Sequence, residues 1–137
     1  MTRTRSDDHL CAHVVWAVKH RHALLPISGD PALHALLANK AHDVEAELLA
    51  FGSAEDHVHV LLRFPAKRAL AEVIQRLKGS TSRILAQHTP AFAWQDGYWA
   101  RSCNPDDLTA LTHYLATQRV HHHDPAAREP WMTDDVP

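Results

Sequence analysis

Apolar and polar positions alternate along two stretches of the first half of the chain, and each predicts a β-strand. The first stretch, 10–19, puts five apolar residues on one face: Leu10, Ala12, Val14, Trp16 and Val18. The second begins at Glu55 and ends at Pro65, with Val58, Val60 and Leu62 at alternate positions. Because successive side chains of a strand point to opposite faces, both patterns indicate strands with one face in a core.

Helical spacing of apolar residues predicts three helices between and after these strands. The first starts at Asp30-Pro31, an N-cap followed by proline, and runs to about Glu47. The second covers 68–87 and carries an apolar stripe, although Gly79 is expected to interrupt it. The third is capped at Asn104, contains Leu108, Leu111 and Leu115, and places Tyr114 and Gln118 one turn apart on the same face.

Two further strands complete the predicted order of elements. Residues 48–51 form a short strand before the Glu55 stretch, and the aromatic stretch 92–102 forms another with a turn at Asp96-Gly97. The order strand, helix, strand, strand, helix, strand, helix predicts an α+β fold, a ferredoxin-like (RRM-like) sandwich with an antiparallel sheet and an added C-terminal helix. Its first and third strands would be central. Residues 1–123 would form one domain, and 124–137 an extended tail.

Size and composition predict a single cytoplasmic domain that does not bind membranes. A chain of 137 residues is long enough for one core. No apolar segment of the sequence approaches the roughly 18 to 20 consecutive residues that cross a bilayer. The N-terminus also lacks the apolar segment of a signal peptide. Cys11 and Cys103 match no zinc or redox spacing, so both are interpreted as packing residues in a reducing compartment.

Charge is unevenly distributed along the chain. The net charge is −2, which counts against a protein that merely coats nucleic acid. Between Arg63 and Arg83, however, six basic residues face one acid, Glu72. Bases at Lys19 and Arg21 also follow the first strand. Each group is either a nucleic-acid contact or an ordinary solvated surface, and the aromatic residues of 92–102 are either base-stacking or core residues.

His57 and His59 are the candidate metal ligands. In a strand they project from one face about two residues apart, close enough for both imidazoles to bind one cation. The chain has 13 histidines, so a hydrogen-bonded or exposed pair is the competing interpretation. A functional site would need a third ligand and a reacting group.

Four stretches together resemble a known family. They are Lys19-His20-Arg21 after the first strand, 56–62 around the two histidines, 77–83 with Lys78-Gly79, and 98–122 with its tyrosine and glutamine. In order and spacing they resemble the single-tyrosine HUH transposases of the 200/605 family of insertion sequences. The resemblance implies that Tyr114 attacks DNA and that His57, His59 and Gln118 bind a divalent metal ion, Mg²⁺ or Mn²⁺.

The same resemblance implies a substrate and a partner. Family members act as homodimers on single-stranded DNA that carries a hairpin, and they form a 5′-phosphotyrosine. DNA would then contact six basic residues: Lys19, Arg21, Arg76, Lys78, Arg83 and Arg101. Two features depart from the family: the segment 22–26 is less basic, and the chain is slightly acidic. Both bear on affinity and hairpin specificity more than on chemistry.

The sequence leaves several alternatives open. Tyr98 is the competing tyrosine, interpreted as structural or as a base contact, and the histidines 121–123 are interpreted as an exposed helix end rather than as ligands. A domesticated relative that processes repeat hairpins would have the same sequence features. A non-catalytic DNA-binding or metal-binding module is the other rival, although such a module would not require the nucleophile.

Overall fold

The computed structural model describes residues 8–122 and shows an α+β fold built on a four-stranded antiparallel sheet. The strands are β1 (His9–Ala17), β2 (Glu47–Ser53), β3 (His57–Pro65) and β4 (Trp99–Ser102), in the order β2-β3-β1-β4. The first and third strands are therefore central, as predicted. All three strand pairs are antiparallel, and Val15 of β1 lies opposite His59 of β3.

Helices cover both faces of the sheet. The helices are α1 (Asp30–Asp43), α2 (Leu70–His88), α3 (Leu108–Ala116) and α4 (Gln118–His122). The alternating apolar side chains of β1 and β3 pack with buried residues of α1 and α2 into the main core. A smaller cluster on the opposite face joins Ala50 and Leu61 to Leu115 of α3. We call the first side the apolar face and the second the histidine face, because His57 and His59 project there.

Three details of the predicted elements are wrong. Helix α2 continues through Gly79 without a break, because its apolar stripe is buried on both sides of this position, at Leu77 and Thr81. No other part of the chain approaches Gly79 closely. Helix α1 ends at Asp43, and Glu45 has a left-handed φ of 63° that turns the chain into β2. Leu10 is 48% exposed and lies outside the core.

The aromatic stretch forms a strand only in its second half. Trp94 makes an isolated bridge to Val18 and is buried, with its indole N–H donating to Thr81 Oγ1 at 2.9 Å. Phe92 is buried in the same core. Because these side chains bind the segment to α2, the predicted strand over 92–102 reduces to Trp99–Ser102.

Gly52 permits the close approach of α3 to the sheet. A Cβ at this position would lie 1.8 Å from the carbonyl oxygen of Leu115, too close for any side chain. Glycine is therefore required where β2 meets the C-terminal end of α3. This contact fixes how closely the helix that carries Tyr114 lies to the histidine face.

Two predictions depend on parts of the chain beyond the described range. Within residues 8–122, no helix is long and apolar enough to cross a membrane. The predicted tail, 124–137, lies outside the described residues, as do positions 1–7 at the start of the predicted domain.

Candidate active site

His57 and His59 lie side by side on the histidine face, as their spacing predicted. Both are fully buried, and their ring centroids are 5.0 Å apart with an interplanar angle of 62°. Strand β3 pairs with β1 on one side and β2 on the other, so its backbone is held firmly. The rigid strand fixes two imidazoles close together.

His57 is oriented by a buried carboxylate. Its Nδ1 lies 2.8 Å from Asp56 Oδ1, and Arg21 Nε donates to Asp56 Oδ2 at 2.8 Å. Burial alone would raise the pKa of Asp56, but the hydrogen bonds from His57 and Arg21 outweigh it and lower that pKa to about 2. An ionised carboxylate can only accept, so Nδ1 of His57 is the donor and, in the neutral ring, Nε2 carries the lone pair.

Backbone strain accompanies the Arg21 contact. His20 and Arg21 are consecutive non-glycine residues with left-handed φ values of 59° and 56°. Such conformations cost free energy and persist where the surrounding structure imposes them. The turn after β1 thus directs the guanidinium of Arg21 back to Asp56.

Gln118 lies across from His57. Its side chain is 1% exposed, its Oε1 is 3.4 Å from His57 Nε2, and its Nε2 donates to the Tyr114 carbonyl at 3.3 Å. The bond to Tyr114 orients the amide so that its oxygen faces the imidazole. In the neutral ring, His57 Nε2 can bind a cation through its lone pair, and Gln118 Oε1 can do so as an amide oxygen.

The predicted single helix through Tyr114 and Gln118 is wrong in one respect. Helix α3 ends at Ala116, and Thr117, with φ −106° and ψ 20°, separates it from α4. The hydroxyl of Thr117 bonds to the carbonyl of His113 at 3.1 Å, which competes with regular helix geometry. The kink leaves Gln118 bonded to the Tyr114 carbonyl.

Tyr114 lies within the same cluster. Its half-buried ring meets His59 edge-on, with centroids 5.6 Å apart and an interplanar angle of 82°. Beside it is a cavity of about 480 Å³, lined by His13, Trp99 and Leu111 among others. The competing tyrosine, Tyr98, instead lines a separate cavity against α2. The structure therefore brings together Tyr114, His57, His59 and Gln118, and leaves Tyr98 outside.

His13 was missed by the sequence reasoning, which considered only the apolar face of β1. It is buried, its Nε2 is 2.9 Å from His59 Nδ1, and the centroids of the two rings are 5.1 Å apart. Burial lowers the pKa of His13 to about 4. Strand register was the signal that could have found it, because the odd positions of β1 face the same way as His59.

A metal ion in this cluster would need an amide ligand. Within residues 8–122, no three His, Cys, Asp or Glu side chains are arranged to hold a metal ion. His57 and His59 would therefore need the amide oxygen of Gln118 as a third protein ligand. Imidazole and amide donors of this kind suit Mn²⁺, and Mg²⁺ would depend more on oxygen donors from water and phosphate.

Comparison with known proteins identifies the family. A family profile described as transposase, IS200-like, matches residues 6–118. The ISDra2 transposase TnpA of Deinococcus radiodurans is 31% identical over 114 residues, which cover 77% of this chain and 81% of that protein. The chain belongs to the IS200-like transposase family.

Two solved structures share the fold of this transposase. A protein of Deinococcus radiodurans R1 assigned as a transposase has a TM-score of 0.68 at 23% identity, covering 87% of this chain and 98% of that one. A REP-associated tyrosine transposase, solved bound to a REP hairpin, has a TM-score of 0.66 at 16% identity, covering 90% of this chain and 75% of that one.

The basic residues predicted to contact DNA occupy different environments in this transposase. Arg21 is paired with Asp56, and the Lys78 ammonium donates to the carbonyls of Gln95 and Gly97 at 2.7 and 2.9 Å. The Arg101 guanidinium lies 4.8 Å from the centroid of the Trp99 ring, beside the Tyr114 cavity. The remaining three are exposed: Lys19, Arg76 and Arg83.

Arg76 and Arg83 belong to α2, which packs on the apolar face, so the sheet separates them from Tyr114. Arg101 is the predicted contact that lines the cavity beside Tyr114. All six DNA contacts remain predictions.

Proposed function

We propose that this transposase cleaves and rejoins single-stranded DNA through a covalent bond to Tyr114. The observation that carries the proposal is the position of the Tyr114 ring against His59, in a buried cluster with His57 and Gln118. The order β2-β3-β1-β4, with helices on both faces, also supports the ferredoxin-like interpretation with an added helix that carries the nucleophile.

The covalent step exchanges one phosphodiester for another. The Tyr114 hydroxyl oxygen attacks phosphorus and loses its proton, the bond between phosphorus and the 3′ oxygen breaks, and that oxygen takes up a proton as a free 3′-hydroxyl. The product is a 5′-phosphotyrosine. Attack by a 3′-hydroxyl on this ester reverses the exchange, so rejoining needs no ATP.

A tyrosine hydroxyl, with an ordinary pKa near 10, is a weak nucleophile at neutral pH. We propose that His57, His59 and Gln118 hold a divalent ion, Mg²⁺ or Mn²⁺, since His57 Nε2 and Gln118 Oε1 lie 3.4 Å apart and both are possible ligands. When bound, the ion would polarise the scissile phosphate and neutralise charge that develops on its oxygens. Asp56 would keep the His57 ring oriented through its Nδ1.

The proposed substrate is single-stranded DNA with a hairpin near the cleavage site. The REP-associated relative was solved with a REP hairpin, which supports hairpin binding in this fold. We place Arg101 on DNA close to Tyr114, and Arg76 and Arg83 on a DNA segment that reaches the other side of the sheet. The family resemblance also supports a homodimer as the active form.

The deciding experiment looks for a covalent protein–DNA adduct. Purified protein is incubated with labelled hairpin DNA from the flanks of its own gene, with Mn²⁺ or Mg²⁺, and resolved under denaturing conditions. We expect a metal-dependent adduct in the wild type and in Tyr98→Phe, and none in Tyr114→Phe. Including genomic repeat hairpins as substrates separates element transposition from repeat processing.

Two results would contradict the proposal. An adduct that persists in Tyr114→Phe would assign the nucleophile to another residue. Hairpin binding with no adduct on any flanking sequence would favour a non-catalytic DNA-binding module.

A further inference from the structure

We propose that His13 is a positioning residue that accepts the Nδ1 proton of His59 and so leaves the lone pair of His59 on Nε2, the nitrogen that can bind a metal ion. This inference rests on the proposed metal site. The juxtaposition that carries it is direct: His13 Nε2 lies 2.9 Å from His59 Nδ1, and both imidazoles are buried.

Hydrogen-bond chemistry restricts what this contact can be. Two lone pairs or two N–H groups at 2.9 Å would repel, so one nitrogen donates and the other accepts. If His13 donated, a neutral His59 would carry its proton on Nε2 and could not bind a cation there. If His59 donates, Nε2 is the nitrogen with the lone pair. Metal binding by Nε2 of His59 therefore requires His13 to be the acceptor.

The neighbouring histidine has an equivalent arrangement. Nδ1 of His57 lies 2.8 Å from the Asp56 carboxylate, which leaves Nε2 to face Gln118. His59 meets an imidazole in place of a carboxylate. In both cases a buried acceptor at Nδ1 fixes the tautomer and the ring orientation, which is the usual role of a group behind a metal-bound histidine.

The location of His13 also limits its other roles. It lies on central strand β1, and its ring lies beside that of His59, with centroids 5.1 Å apart and an interplanar angle of 26°. Trp99 meets the His13 ring edge-on at 5.1 Å. The contact with Trp99 and the hydrogen bond to His59 hold the ring in place, so a leucine could replace the volume of His13 but not its acceptor.

The first test reads the His59 tautomer in metal-free protein by long-range ¹H–¹⁵N NMR of the imidazole rings. The proposal expects the proton of neutral His59 on Nδ1 in the wild type. A His59 with its proton on Nε2 would overturn the proposal. This readout needs neither metal nor activity, so it stands even if the proposed function fails.

The second test measures Mn²⁺ affinity by titration for the wild type, His13→Leu and His13→Gln, with His88→Leu as an exposed matched control. Loss of the acceptor should weaken binding about 10- to 100-fold in His13→Leu. His13→Gln, which retains an acceptor oxygen, should recover most of the affinity, and His88→Leu should match the wild type.

The outcomes separate the two proposals. Wild-type affinity in a folded His13→Leu would overturn the positioning role while leaving the metal site intact. If His13→Leu does not fold, the His13→Gln affinity and the wild-type tautomer decide the question. If the wild type and His57→Ala bind Mn²⁺ equally, the metal site itself is wrong, and the NMR result still decides which nitrogen of the His13–His59 pair donates.

Discussion

The two faces of the sheet use the same strands for different purposes. On the apolar face, Val58, Val60 and Leu62 pack with α1 and α2 into a continuous core. On the histidine face, the alternate positions of the same strand carry His57 and His59, and α3 covers them with a much smaller apolar cluster. Nearly all apolar burial is on one side, and the proposed chemistry is on the other.

This difference teaches how a short chain can hold a polar site rigidly. Buried polar groups cost free energy unless they are hydrogen-bonded. On the histidine face, His57 contacts Asp56 and Gln118, and His59 contacts His13. The apolar face holds the strand in place, so the imidazoles need little apolar packing of their own.

The largest expected effect comes from removing volume on the apolar face. Leu62→Ala should lower the free energy of unfolding by roughly 2–5 kcal/mol, because it leaves a cavity among fully buried side chains. Urea unfolding measures this loss. The increase in melting temperature on adding Mn²⁺ should survive in Leu62→Ala and disappear in His57→Ala. A lost Mn²⁺ response in a folded Leu62→Ala protein would show that the two faces are not separable.

The next effect is expected where α3 meets the sheet. Gly52→Ala would place a Cβ 1.8 Å from the Leu115 carbonyl oxygen, and such overpacking costs about 1–3 kcal/mol. Because α3 carries Tyr114, the adduct yield of Gly52→Ala should fall below that of the wild type even under conditions in which the variant is fully folded. Gly79→Ala is the matched control: nothing lies within 4 Å of its Cβ, so it should stabilise α2 by about 0.5–1 kcal/mol. Equal adduct yields in the two variants would refute this role of Gly52.

Lys78→Met tests whether a predicted DNA contact is structural. The ammonium donates to the carbonyls of Gln95 and Gly97, so its removal should lower the free energy of unfolding by about 1 kcal/mol. DNA affinity should change little. A large loss of DNA affinity with unchanged urea unfolding would show that Lys78 contacts DNA.

The smallest effect on stability is expected at Arg83, which is exposed on α2. Arg83→Gln should change the free energy of unfolding by less than about 0.5 kcal/mol. If Arg83 contacts a phosphate, the slope of log affinity for single-stranded DNA against log salt should become shallower by about 0.7. Fluorescence anisotropy across a salt series measures the slope, and an unchanged slope would remove Arg83 from the interface.

Elements with long, regular patterns were predicted well, and the aromatic stretch was not. The alternation in 57–65 and the stripe of α2 are local properties that survive folding. Residues 92–95 have strand-forming side chains, but Trp94 binds Thr81 across the core and holds the segment against α2. That contact joins positions 13 residues apart, so the local sequence pattern does not predict it.

The candidate site was predicted in part for the same reason. His57, His59, Tyr114 and Gln118 were recognisable by spacing and by family resemblance, and the structure brings them together. Arg21 was predicted as a DNA contact, yet its guanidinium pairs with Asp56, 35 positions away. This pairing accompanies a left-handed turn at His20 and Arg21. The residue types at these two positions do not predict such a turn.

The sequence by itself determined which residues alternate along β3 and therefore which side chains share a face, because strand geometry has a period of two. Tertiary structure decided what each of those side chains meets. It placed His13 against His59 through the pairing of β1 with β3, and it brought α3 into close contact with the sheet at Gly52. These contacts arise from packing between distant segments, and only the folded chain specifies them.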